Sequence, residues 1–174
     1  MRYDEFKGAE AMATLRPYSP QDAETILSWI KDETSYYQWC AGLFGPYHPL
    51  TEEEFTRKVT AHIPYTYAET DRPVGFLFLR VPEGRDSIMR LGFVILDPQL
   101  RGKGLGSAMV REALNLVFHH HGMKRAELGV FDNNPSALYC YEAAGFQLTG
   151  KKEEYPVGDS IWICLEMEKI NDQA

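Results

Sequence analysis

Asp97-Pro98-Gln99-Leu100-Arg101-Gly102-Lys103-Gly104-Leu105-Gly106-Ser107 is the stretch on which the reading of this chain turns. Before it, Leu91, Phe93, Val94, Ile95 and Leu96 form an apolar run that reads as a buried strand. After it, Leu105, Met109, Ala113 and Val117 recur at four-residue spacing, one face of a helix. Strand, glycine turn and helix in that order make an anion-binding arrangement. The first amides of a helix have no partner within it and sit at the positive end of its dipole, so they bond a phosphate that comes close. Gly102, Gly104 and Gly106 remove side chains that would hold an anion off, and Arg101 and Lys103 add charge that pairs with phosphate oxygens. Two common nucleotide loops fit poorly. A P-loop needs Lys and then Ser or Thr after its last glycine, and the dinucleotide fingerprint needs a third glycine where Ser107 stands.

The frame around this loop is that of one globular domain. A chain of 174 residues, 44% hydrophobic and 25% charged, is large enough to bury a core without staples. The expected organisation is an N-terminal extension over 1–12, polar and without period, followed by a single domain over 13–170. A net charge of -7 argues against a nucleic-acid partner and favours cationic ones. The longest apolar run, Val74 to Leu79, is too short to cross a bilayer, and the N-terminus lacks the apolar core of a secretory signal. The expectation is therefore a cytoplasmic protein with no membrane partner. Cys40, Cys140 and Cys164 are odd in number and widely spaced, which suits buried thiols and neither a disulfide framework nor a zinc site. His119, His120 and His121 follow one another, point in different directions on a helix and suit its C-terminal dipole, so no metal is expected.

In chain order, a short strand is expected at Thr14 to Arg16, then a helix entered through Ser19 and Pro20 that buries Ala23, Ile26, Leu27 and Ile30. Thr34 to Tyr47 gathers Tyr36, Tyr37, Trp39, Phe44 and Tyr47 between glycine and proline breaks. Core filling is the preferred reading, with a substrate lid as the alternative. Thr51 and Glu54 form a capping box, with Leu50 and Phe55 as a hydrophobic staple. Strands are expected at Tyr65 to Thr70, Pro73 to Val81 and Ser87 to Leu96, then a helix running to about His119 with Gly122 as its stop. Arg125 to Phe131 is the next strand, Asn134 and Pro135 open a short helix ending before Gly145, and Gln147 to Tyr155 and Ser160 to Lys169 close the chain as a hairpin. Helices interspersed among hairpin-linked strands predict a mixed α/β sheet.

Two separated motifs carry a family resemblance. Arg101-Gly102-Lys103-Gly104-Leu105-Gly106 matches a Q/R-x-x-G-x-G/A loop, and Asn134-Pro135-Ser136-Ala137 through Tyr141 to Gly145-Phe146 matches N-x-x-A-x-x-x-Y-x-x-x-G-F. In this order, one helix and one strand apart, they resemble the GNAT superfamily of acyl-CoA-dependent N-acetyltransferases. The resemblance covers about Leu91 to Thr149. It implies an α/β (α+β) fold with a mostly antiparallel sheet of about seven strands, helices on both faces, and a splayed parallel pair formed by the strands ending at Leu96 and near Val130.

It further implies acetyl-CoA as co-substrate, wedged in that splay, and no metal. Val94 and Leu96 would offer backbone groups to the pantetheine arm. Arg101, Gly102, Lys103, Gly104, Leu105, Gly106 and Ser107 would hold the pyrophosphate, with Asn134 near the pantetheine as well as capping its helix. Tyr141 would be the catalytic acid that protonates the departing thiolate, and a backbone amide, that of Val94, would stabilise the oxyanion. Many relatives place a glutamate base near the splay. Here Ile88 to Leu96 has no carboxylate, and Glu127 is a candidate whose preferred reading is an ordinary surface charge.

The implied activity is transfer of an acetyl group to a primary amine by direct attack in a ternary complex, with a small cationic amine preferred as acceptor. A ribosomal-protein-like N-terminal acetyltransferase and a non-catalytic acyl-CoA sensor are the alternatives. A homodimer and a monomer both stay open.

Overall fold

The computed structural model describes residues 12–173, so all of the expected extension but Met12 lies outside the described residues. Seven strands form one sheet: β1 (Thr14–Pro17), β2 (Ile63–Glu69), β3 (Arg72–Arg80), β4 (Ile88–Leu96), β5 (Arg125–Phe131), β6 (Gln147–Val157) and β7 (Ser160–Ile170). Their order is β1-β2-β3-β4-β5-β7-β6, and the parallel contact is β4 with β5. Five helices cover the faces: α1 (Ala23–Leu27), α2 (Glu33–Cys40), α3 (Glu52–Val59), α4 (Leu105–Asn115) and α5 (Pro135–Ala143).

The helices divide the core in two. On one face, Met89 and Leu91 of β4 with Ala126, Leu128 and Val130 of β5 pack under Met109, Val110 and Ala113 of α4 and Tyr141 of α5. On the other, Phe76, Phe78, Phe93 and Ile95 pack under Ile26, Trp39, Phe55 and Val59 of α1 to α3. Strict alternation would send Phe93 and Ile95 to the same face as Met89 and Leu91. A β-bulge reverses them. Phe78 pairs with Gly92 and Phe76 with Ile95, so Phe93 and Val94 together oppose Leu77. Phe93 carries the irregularity at φ 50°, a conformation that costs a bulky residue about 1–3 kcal/mol.

Local signals set most boundaries. Thr51 caps α3, accepting from the Glu54 amide at 3.2 Å while the Glu54 carboxylate accepts from the Thr51 amide at 3.0 Å. Asn134 caps α5, its side chain accepting from the Ala137 amide at 3.2 Å. The helix entered at Ser19 is shorter than expected, a 3-10 turn over Pro20–Asp22 and then α1. The long helix is α-helical only to Asn115 and widens to a π turn over Leu116–His120 before Gly122, at φ 65°. The aromatic segment contains a helix that no sequence period announces, α2, capped by Asp32, which accepts from the Ser35 amide at 2.7 Å. Tyr36, Tyr37 and Trp39 are buried, while Tyr47 is exposed.

Candidate active site

Strand β4 leaves β5 almost as soon as they meet. Ile88, Met89 and Arg90 pair with Arg125, Ala126 and Glu127, and the parallel ladder stops there. Beyond it the two strands splay. A cleft of about 440 Å³ runs along this gap, with Val94, Ile95 and Leu96 of β4 on one wall and Asn134, Ala137 and Tyr141 of the α5 segment on another.

Asp97 begins the turn that delivers β4 to α4. Its side chain accepts from the Gln99 amide at 2.9 Å, and its own amide donates to Val74 at 2.8 Å, so the loop is anchored before Arg101. Gly102 and Gly104 follow at φ 77° and 80°, left-handed values that explain glycine at both. Nothing stands within 4 Å of where a side chain would begin at either, so the space over them is open. Ala108 is the first residue to close a helical bond here, to the Gly104 carbonyl at 3.1 Å. The amides of Leu105, Gly106 and Ser107 therefore precede the first intrahelical bond of α4, at its positive end. Gly106 has a different reason to be glycine: a Cβ there would meet Cys140 Sγ at 3.1 Å, so it sets the close approach of α4 to α5.

Arg101, Gly102, Gly104, Gly106 and Ser107 line the cleft together with Val94, Leu96, Asn134 and Tyr141. Lys103 and Leu105, expected in the same group, do not. Ser35, Gln38 and Trp39, from the segment read first as core filling with a lid as the alternative, also line the cleft, as does Trp29, which the sequence reading missed. Trp39 donates its indole N–H to the Phe93 carbonyl at 2.9 Å.

Tyr141 is 7% exposed, with its ring set edge-on to Phe146 at 6.2 Å. It is thus both a core residue and a wall of the cleft. Burial pushes its phenol well above the ordinary value, so it stays protonated across the working pH range. Cys140, beside it, is likewise pushed up by burial and is no ready thiolate.

Glu127 is not the surface charge expected, and it does not line the cleft. The residue is 4% exposed, and its carboxylate accepts from Arg85 at 2.8 and 2.6 Å and from Arg90 at 3.2 Å. Burial pushes its pKa up, but the two guanidiniums outweigh that and hold it below the usual carboxylate range. Arg90 also bonds Glu166 on β7. The cluster clasps β4, β5 and β7 at the closed end of the splay. Glu127→Gln should accordingly lower stability by about 2 kcal/mol, since Arg90 keeps Glu166. Urea unfolding beside a pH–rate profile checks this: a lost pH-dependent limb with unchanged stability would return Glu127 to the role of base.

A parallel pair thus parts beside a helix N-terminus whose first amides precede its first internal bond, with a buried phenol across the gap. Residues 23–146 match the family model "Acetyltransferase (GNAT) family", and the chain belongs to that family. Among its relatives, the peptidyl-lysine N-acetyltransferase YjaB of Escherichia coli (strain K12) is 27% identical over 128 residues, 69% of this chain and 78% of that protein. The aminoglycoside N(6')-acetyltransferase type 1 of Klebsiella pneumoniae is 22% identical over 162 residues, 86% and 81% of the two chains. In structure, the spermidine N-acetyltransferase of Vibrio cholerae, solved with CoA and spermine, superposes with a TM-score of 0.75 at 20% identity, covering 91% of this chain and 95% of that one. The protein is an acetyl-CoA-dependent N-acetyltransferase.

Proposed function

We propose that the chain acetylates a primary amine, by preference a small cationic one, through direct attack on acetyl-CoA in a ternary complex. The observation that carries this is a single cleft joining Arg101 and the start of α4 to the buried phenol of Tyr141. The pyrophosphate rests on the α4 amides with Arg101, and the pantetheine arm follows the open margin of β4 at Val94 and Leu96. The amine nitrogen attacks the thioester carbonyl carbon, and the carbonyl electron pair moves onto oxygen, where the Val94 amide meets it. Collapse expels the CoA thiolate, which takes the Tyr141 proton; the new ammonium gives its surplus proton to water, and Tyr141 is reprotonated from solvent. Residues 13–170 act as a single domain, and the acetyl-CoA requirement favours a cytoplasmic setting.

Among the described residues, no Asp, Glu or His lines the cleft. The acceptor must then arrive neutral, and kcat/KM should rise with pH until the acceptor's own pKa is reached. Two amines of different basicity, compared across pH, should shift the limb by the difference between them. A limb fixed near neutrality for both would reveal an enzymic base instead.

Arg101→Glu should weaken CoA binding about 10- to 100-fold, the range of a charge-assisted bond replaced by repulsion, with kcat at saturation changing much less. Titration calorimetry reads it, and equal affinity would remove Arg101 from the pyrophosphate site. The acceptor class is tested by thiol release from acetyl-CoA over a panel of polyamines, aminoglycosides, lysine peptides and free N-terminal peptides. Turnover confined to the peptides would replace the small-amine reading, and binding without turnover on any member would leave an acyl-CoA sensor.

A further inference from the structure

At the bulge in β4, a side chain from a different element comes to meet one backbone carbonyl. Phe93 is the single described non-glycine residue with positive φ inside a strand; Ala41 ends α2 and Thr70 sits in the β2–β3 turn. Its carbonyl accepts the Trp39 indole N–H at 2.9 Å, with both residues under a tenth exposed. The ring itself is fixed by packing, 4.9 Å from the Phe93 ring, stacked on Phe44 at 5.9 Å and tilted against Phe55 at 5.8 Å. Helix α2, which carries it, is held at both ends, by the Asp32 cap and by Ala41 in the left-handed region at φ 52°.

We propose that Trp39 is a positioning residue for acetyl transfer: its indole N–H holds the Phe93 peptide in the bulged orientation, and this aims the next amide, that of Val94, at the thioester carbonyl. Three observations support it. The peptide plane that bears the Phe93 carbonyl also bears the Val94 N–H, and peptide planarity forces the two to point in opposite directions. Trp39 therefore fixes the direction of the Val94 donor without touching the substrate oxygen itself. Val94 lines the cleft, and Trp39 lines it as well. The strained φ at Phe93 needs compensating contacts from outside the strand; the Phe44 and Phe78 rings pack on its side chain, and the indole bond holds its carbonyl. A donor aimed in advance acts where charge develops in the transition state, whereas a drifting one loses much of that effect.

The inference rests on the assignment of Val94 as oxyanion donor, and the test separates the two. Trp39 is replaced site-specifically by benzothienylalanine, which keeps the fused-ring shape and lacks the N–H, and in parallel by Trp39→Phe. Val94 is separately replaced by its α-hydroxy acid, which turns that one amide into an ester. The expected result is a kcat about 10- to 100-fold lower in the benzothienyl protein, with KM for acetyl-CoA and the calorimetric CoA affinity within about twofold of the parent. Trp39→Phe should lose at least as much.

A benzothienyl protein with parental kcat would overturn the proposal and reduce Trp39 to packing, as would a loss of CoA affinity equal to the loss of kcat. If the ester lowers kcat and the benzothienyl protein does not, Val94 stands and Trp39 falls. If the ester is fully active, the oxyanion assignment fails and takes the proposed aim with it.

Discussion

Tyr141→Phe should lower kcat by about 10²- to 10⁴-fold while leaving the affinity for CoA nearly intact. The substitution removes one hydroxyl and keeps the ring that packs against Phe146 and lines the cleft beside α4, so the fold has little reason to respond. What disappears is the proton available to the departing thiolate. Because burial keeps the phenol protonated well past neutrality, the wild-type enzyme should show no loss of this acid through the ordinary assay range, and the defect of the variant should be uniform across it. Steady-state kinetics against acetyl-CoA and the best acceptor, with CoA binding measured separately, read the result. Unchanged kcat would remove Tyr141 from the chemistry and leave it a core aromatic.

Asp22→Ala should cost about 3–5 kcal/mol, the largest stability effect expected of a single polar change in the described structure. The residue is 5% exposed, and its carboxylate ties three elements together. It accepts from Arg16 of β1 at 2.7 and 2.9 Å, from the Thr66 hydroxyl of β2 at 2.7 Å and from the Ser19 amide before α1 at 3.1 Å. Alanine leaves the Thr66 hydroxyl, fully buried, and the Arg16 guanidinium without their acceptor.

Burial alone would raise the Asp22 pKa, but the Arg16, Thr66 and Ser19 bonds outweigh it and hold the folded value below the ordinary 3.8. The folded pKa is depressed, so the contribution is complete above 3.8 and fades as pH falls through the lower folded value. The stability difference between wild type and variant, from urea unfolding, should then be full at pH 7 and smaller near pH 3. A difference that stays constant with pH would mean that Asp22 acts through packing and not through charge.

The parts of this fold that could be read in advance are those written locally. Gly102 and Gly104 announce left-handed turns, Thr51 with Glu54 and Asn134 with Pro135 announce caps, and each lies within a few residues of what it determines. The recesses of the site are written across distance. Helix α2 carries aromatic residues with no regular apolar stripe, because its burial against β4 and not its own period stabilises it. The bulge is hidden for a related reason. Val94 and Leu96 face one core and Phe93 and Ile95 the other, so every residue of the run is apolar and the pattern is silent on where the alternation reverses. Glu127 looks like a solvent charge until Arg85 and Arg90 are brought to it by the fold. Trp39 lines the cleft from α2 and bonds the Phe93 carbonyl, 54 positions on in the chain, a contact that no local pattern announces.

The early parting of β4 from β5 has a consequence for solubility. A sheet margin with unsatisfied peptide groups invites stray strands from other molecules, and outer margins are ordinarily guarded by charge and proline. The outer strand β6 follows that custom, with Lys151, Lys152, Glu153, Glu154 and Pro156 along it. The margin of β4 carries no such guards from Leu91 to Leu96. It lies instead inside the sheet, between β3 and β5, where the cleft lined by α4 and α5 runs along it, so its shelter comes from position and not from charge.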